Sequence, residues 1–105
     1  MANYLLAYHG GSMPETDAQR AQVMAAWGTW AQSLGAGMID GGNPVGHTRT
    51  IAGSGSVSNG GGANPVTGYS IISAENLDAA VAAAKRCPIL QGGGNIEVCE
   101  TFNAM

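Results

Sequence analysis

Two stretches decide the fold: Tyr4-Leu5-Leu6-Ala7-Tyr8, and after it Val23-Met24-Ala25-Ala26-Trp27-Gly28-Thr29-Trp30-Ala31-Gln32-Ser33-Leu34. The first reads as a short strand. The second reads as an amphipathic helix: at the helical period, Val23, Met24, Trp27, Trp30, Ala31 and Leu34 share one face centred on Trp27. Asp17, Gln22, Thr29, Gln32 and Ser33 fall on the other. The start of this helix is marked by Ser12 ahead of Pro14-Glu15, and by Thr16 with Gln19 three residues on, the spacing of a capping box. Asp17 suits the positive end of the helix dipole. Gly35 and Gly37 stop the helix. Gly28 inside it costs about 1 kcal/mol relative to Ala, which points to close approach of the sheet or of another helix.

Working outward, Leu77, Ala80, Val81, Ala84 and Cys87 recur at helical spacing, with Ser73 available as N-cap and Pro88 as terminator. Cys87 is thereby a core position. Strands are predicted near 3–9, 38–42, 47–52, 67–73 and 95–102, and helices near 15–34 and 76–87. The βαββαβ order predicts one α+β domain over residues 1–105, an antiparallel sheet with two helices on one face. Residues 53–64, rich in Gly, Ser and Asn, read as a mobile hairpin tip rather than a lid, dispensable for folding.

Composition narrows the function. Charged residues are 10% of the chain, against roughly 25% in an ordinary soluble domain, which suggests that part of the surface is covered by another copy. The net charge of −3 and the scattering of Arg20, Arg49, Lys85 and Arg86 argue against nucleic acid. The longest apolar run, Ala79 to Ala84, is far short of the ~20 residues that cross a bilayer. Cys87 and Cys99, without a CxxC spacing or a secretion signal, read as thiols, and the expected compartment is the cytoplasm.

No metal spacing, phosphate loop or nucleophile elbow is present in the sequence, so no cofactor is implied. The candidate catalytic residues are His9, closing the first strand, and Asp40, in the second: a proton shuttle and a carboxylate to orient it. The alternative is that His9 is a loop residue and Asp40 bonds the backbone amides of the turn at Gly42-Asn43. Arg20 falls on the apolar face one turn before Met24. It either aims a guanidinium into a cleft beside Trp27 or lays its stem over apolar surface. Arg20, Met24, Trp27 and Asn43 are the ligand-binding candidates.

The chain resembles the YCII-related (DGPF-like) family. The resemblance is carried by Tyr4 to Tyr8, Met24-Ala25-Ala26-Trp27-Gly28-Thr29-Trp30, Leu34-Gly35-Ala36, Asp40-Gly41-Gly42-Asn43-Pro44, Thr67-Gly68-Tyr69-Ser70-Ile71-Ile72 and Gly94-Asn95-Ile96-Glu97-Val98. It implies a ferredoxin-like fold paired into a dimeric α+β barrel, in a superfamily that includes lactone-processing and dehalogenating enzymes. Met24 stands where enzymatic members carry a helix-one histidine, and the Asp-Gly-Pro-Phe motif is absent, so the family's acid/base pair does not carry over. A homodimer is expected on separate grounds, since Leu5 with Ala7, and Ile71 beside Ile72, put apolar residues on both faces of the sheet. Two functions stay open: an enzyme acting on a small organic anion by acid/base chemistry, or a non-catalytic small-molecule-binding or structural homodimer.

Overall fold

A computed structural model describes residues 1–12 and 14–104. Strand β1 (Ala2–His9) leads into helix α1 (Asp17–Leu34), a 3₁₀ turn (Gly35–Gly37) and strand β2 (Met38–Asp40). Strands β3 (Arg49–Ile51) and β4 (Val57–Asn59) follow, then β5 (Val66–Ala74), helix α2 (Leu77–Ala84), a 3₁₀ turn (Pro88–Leu90) and β6 (Asn95–Glu100). The main sheet runs β2-β5-β1-β6 with every neighbour antiparallel. The fold is therefore α+β, with two helices and an antiparallel sheet.

The capping box forms as its spacing implies: Thr16 Oγ1 accepts from Gln19 N at 3.1 Å, and Gln19 Oε1 accepts from Thr16 N at 3.3 Å. The second helix starts differently from the sequence expectation. Ser73 lies in β5, and Asn76 caps α2 by accepting from Ala79 N at 2.8 Å. The strand runs to Ala74, one residue past its expected end, and the cap falls three residues after Ser73.

Alternation along β1 sorts its side chains. Tyr4, Leu6 and Tyr8 are buried against Ile72, Trp30, Ala80, Ala84 and Cys87, which places the core between the sheet and the two helices. Trp30 ties the helices together by donating from Nε1 to the Ala83 carbonyl at 3.0 Å. The other face of the sheet carries Leu5 opposite Ile71 and Cys99, and Ala7 opposite Tyr69 and Glu97. Leu5, Ala7, Tyr69, Ile71 and Cys99 are each half-buried there, and among the described residues no helix lies over them.

Three expectations are corrected. The strand expected at 47–52 does not join the sheet; Arg49–Ile51 pairs only with Val57–Asn59, in a separate hairpin turned at 52–56. Its residues are short in apolar side chains facing the core, so local pairing wins. The apolar face of α1 is buried only in its second half: Trp30 is buried and Trp27 and Leu34 half-buried, whereas Val23 and Met24 are 39% and 72% exposed. Gly28 has nothing within 4 Å of where a Cβ would sit, so no neighbour requires a glycine there.

The molecule is a slab of 43 × 42 × 18 Å, one sheet and one helix layer thick. Its radius of gyration, 15.1 Å, exceeds the roughly 13 Å of a compact domain of this length. The projecting hairpin accounts for part of the excess, since every residue from 43 to 60 is exposed.

Candidate functional site

His9 ends β1 where its register with β5 shifts, and the shift folds the chain at Asn64-Pro65 over its ring. The side chain is buried, with Nδ1 3.0 Å from the Asn64 carbonyl and 3.2 Å from that of Pro65. Carbonyl oxygens only accept, so Nδ1 carries the proton and donates. Nε2 lies 2.6 Å from Glu97 Oε1, a carboxylate that is itself 63% exposed. Nε2 nevertheless has no aligned hydrogen-bond partner. The Glu97 oxygen is thus close to Nε2 without hydrogen-bond geometry.

Glu97 was not singled out by sequence reasoning. The signal was its place in Ile96-Glu97-Val98, where alternation sends it to the face opposite its apolar neighbours. Pairing of β6 with β1 then sets Glu97 opposite Ala7 and Asn95 opposite His9. That diagonal separation, about 7–8 Å, is within reach of a long side chain.

Asp40 is elsewhere. Its Oδ1 accepts from Gly42 N at 2.8 Å, closing the turn after β2, and the residue is exposed. Asp40 pairs with Ile71, and Ile71 with Leu5. His9 is therefore two strands across and four residues along from Asp40, about 16 Å away by sheet spacings. The structure does not bring these two residues together.

Of the other candidates, Arg20 donates from Nη2 to Asp17 Oδ1 at 2.8 Å, with both side chains in solvent. Met24 is exposed one turn along. Trp27 sits edge-on to Tyr8, ring centroids 5.4 Å apart at 69°, and edge-on to Trp30 at 5.7 Å and 85°. Asn43 is exposed, its carbonyl near the backbone of Gly68. Trp27 and Asn43 thus flank Tyr8 and Gly68, while Arg20 stands away from them.

Beneath Trp27 lies a buried polar chain. Tyr8 donates from its hydroxyl to Ser70 Oγ at 2.7 Å, and Ser70 donates to the Gly41 carbonyl at 2.8 Å. The Cys87 thiol lies beside the Tyr8 hydroxyl. Burial pushes the Cys87 thiol above its ordinary value and the Tyr8 phenol far above its own. Both groups hold their protons at neutral pH, so this cluster joins β1, β5 and the end of β2 and supplies no nucleophile. Cys87 and Cys99 are both free.

Two open hollows mark the surface. One, of about 460 Å³, lies between the start of β1 and residues 101–103. The other, of about 360 Å³, lies between α1 and the chain after α2, floored by Ala26, Trp30 and Pro88 and rimmed by Thr29, Ser33, Arg86 and Gln91. Neither is lined by His9, Asp40, Arg20, Met24, Trp27 or Asn43. Arg86 leans over the second, its Nη1 3.5 Å from Ser33 Oγ. Among the described residues, no three His, Cys, Asp or Glu side chains gather as a metal site would require, and no helix is long and apolar enough to cross a membrane.

No protein-family model matches the chain, and a search of curated proteins returns no match.

Proposed function

We propose that this chain works as a homodimer of the YCII-related, dimeric α+β barrel type and binds a small organic anion without transforming it. The observation that carries the reading is the uncovered sheet face of Leu5, Ala7, Tyr69, Ile71 and Cys99 on a slab only 18 Å thick. An antiparallel sheet that faces water presents polar side chains there, and this one carries Leu5, Ala7, Tyr69 and Ile71 beside Asn3, Ser73 and Glu97. The sheet order β2-β5-β1-β6, with the hairpin set aside, supports a ferredoxin-like assignment. Two such sheets stacked face to face would bury the exposed side of each.

Binding is favoured over catalysis because the acid/base candidates stand apart and are engaged locally, His9 through Nδ1 by the Asn64 and Pro65 carbonyls and Asp40 by the Gly42 amide. The ligand site of this reading is the groove beside Trp30, which Arg86 lines together with Ala26 and Pro88. Its volume of about 360 Å³ falls at the small end of ligand pockets. Free thiols at Cys87 and Cys99 accord with a cytoplasmic setting. The test is sedimentation of the wild type beside calorimetric titration with a panel of small carboxylates. A dimer that binds one of them, and loses it on Arg86→Gln, supports the reading; a monomer at all concentrations, or binding untouched by Arg86→Gln, removes it.

A second reading, an acid/base enzyme, keeps one specific observation: His9 and Glu97 meet on the face that dimerisation would enclose. Turnover of any small organic anion that is lost on His9→Gln would favour it.

A further inference from the structure

We propose that the β3–β4 hairpin is a dimerisation arm, its apolar face of Ile51 and Val57 seated on a second copy of this chain at the exposed first half of α1, around Val23 and Met24. This rests on the homodimer reading above and adds a second contact to it.

Ile51 and Val57 are directly opposite each other in the hairpin and are 71% and 59% exposed. The two-residue period puts Arg49 and Asn59 on the same face and Thr50 and Ser58 on the other. The ribbon is thus amphipathic with nothing on its apolar side. A two-stranded hairpin alone is marginal in water, so this one gains by burying that side. Val23 and Met24 form a second exposed apolar surface on α1.

Area argues that the arm takes part. Three strands of six residues or more with the three-residue β2 beside them, about 4.8 Å apart, give a sheet footprint of roughly 350 Å². A stable interface takes about 800 Å² from each partner. An arm contact would add to the area of the stacked sheets, and two-fold symmetry would make it twice.

Charge agrees in sign. Arg49, on the apolar face of the arm, has no acidic group within ion-pair distance among the described residues. The start of α1 presents Glu15 and Asp17, both exposed, and Arg20 engages only one oxygen of Asp17.

The experiment is sedimentation equilibrium of the full chain over a concentration series, with circular dichroism to confirm that each variant keeps its fold. I51D/V57D is expected to raise the dimer dissociation constant by about tenfold or more. R49E is expected to weaken the dimer, and R49E/E15K to restore it, because the swap re-forms the pair across the interface. A dimer broken by Ile71→Asp but indifferent to I51D/V57D overturns the arm and leaves the stacked sheets standing. A wild type that is monomeric throughout overturns both. Failure of E15K to rescue R49E overturns the placement on α1.

Discussion

Tyr8 and Ser70 share a buried side-chain hydrogen bond 2.7 Å long on the core face of the sheet, and Ser70 in turn donates to the Gly41 carbonyl. The two ends of this bond are unequal. Ser70→Ala strips an acceptor from the buried Tyr8 hydroxyl and a donor from the Gly41 carbonyl, whereas Tyr8→Phe leaves Ser70 bonded to Gly41. A buried polar group without a partner costs about 1–3 kcal/mol. Ser70→Ala is therefore expected to lower stability more than Tyr8→Phe, as read by urea denaturation; the reverse order would show that the chain is not organised from Ser70.

Two glycines are expected to respond with opposite signs. Gly28→Ala adds a methyl where nothing lies within 4 Å, and is expected to stabilise the protein by about 0.5–1 kcal/mol through helix propensity. Gly42 has φ +73°, and a Cβ there would fall 1.7 Å from the Tyr69 carbonyl oxygen. Gly42→Ala must move the backbone of β5 and is expected to cost more than about 3 kcal/mol. Thermal denaturation of both variants checks the contrast.

The pair at the end of β1 divides unevenly. His9 holds the Asn64-Pro65 segment from inside, so His9→Ala orphans carbonyls under a closed loop and is expected to cost about 1–3 kcal/mol. Glu97 is largely in solvent, and Glu97→Gln is expected to cost less than about 1 kcal/mol. Amide exchange of residues 64–67 would quicken in the first variant and not in the second.

Alkali is expected to destabilise the fold from about pH 9 upward. Burial raises the Cys87 thiol above its ordinary value of 9.0 and the Tyr8 phenol above its ordinary 10.0. Between the unfolded and folded values the folded state binds more protons, so unfolding free energy falls as pH rises. The stabilisation is full below the unfolded values and is lost above them. Cys87→Ala is expected to remove the lower part of this decline; a denaturation midpoint flat from pH 8 to pH 11 would contradict the burial.

Thiol labelling separates the two cysteines and reads the assembly. Cys99, half-buried on the open sheet face, is expected to react with iodoacetamide before Cys87, which is fully buried. If the sheet faces stack, labelling of Cys99 slows as protein concentration rises, while Cys87 stays slow throughout.

What could be read in advance was whatever is local. Thr16 and Gln19 cap α1 through atoms three residues apart, whereas Cys87 reaches the core on extended backbone after α2 has ended at Ala84, not on the helix expected to run to 87. The hairpin was not legible, because the choice between a sheet strand at 47–52 and a separate ribbon depends on where β5 has room for a neighbour. Arg20 lay on the apolar face by angle, yet that half of α1 has nothing to pack on, so its guanidinium turned to Asp17. The site was less legible than the fold for the same reason: His9 is buried by residues 55 and 56 positions away, and Glu97 meets it only through the pairing of the first strand with the last.

That pairing has a consequence for how the chain is made. β1 is the strand around which the sheet is built, and both its neighbours, β5 and β6, come from residues 66 to 100. A ribosome adding about 5–20 residues per second leaves Leu5 and Leu6 without strand partners for several seconds after they are synthesised. α1 and the hairpin close on contacts near in sequence and precede β5 along the chain, so they form early, while the sheet waits for late-arriving strands and the long loops they close. Nascent copies growing side by side on one messenger would present their unpaired β1 edges to each other during that interval, a hazard that the stability of the finished protein does nothing to remove.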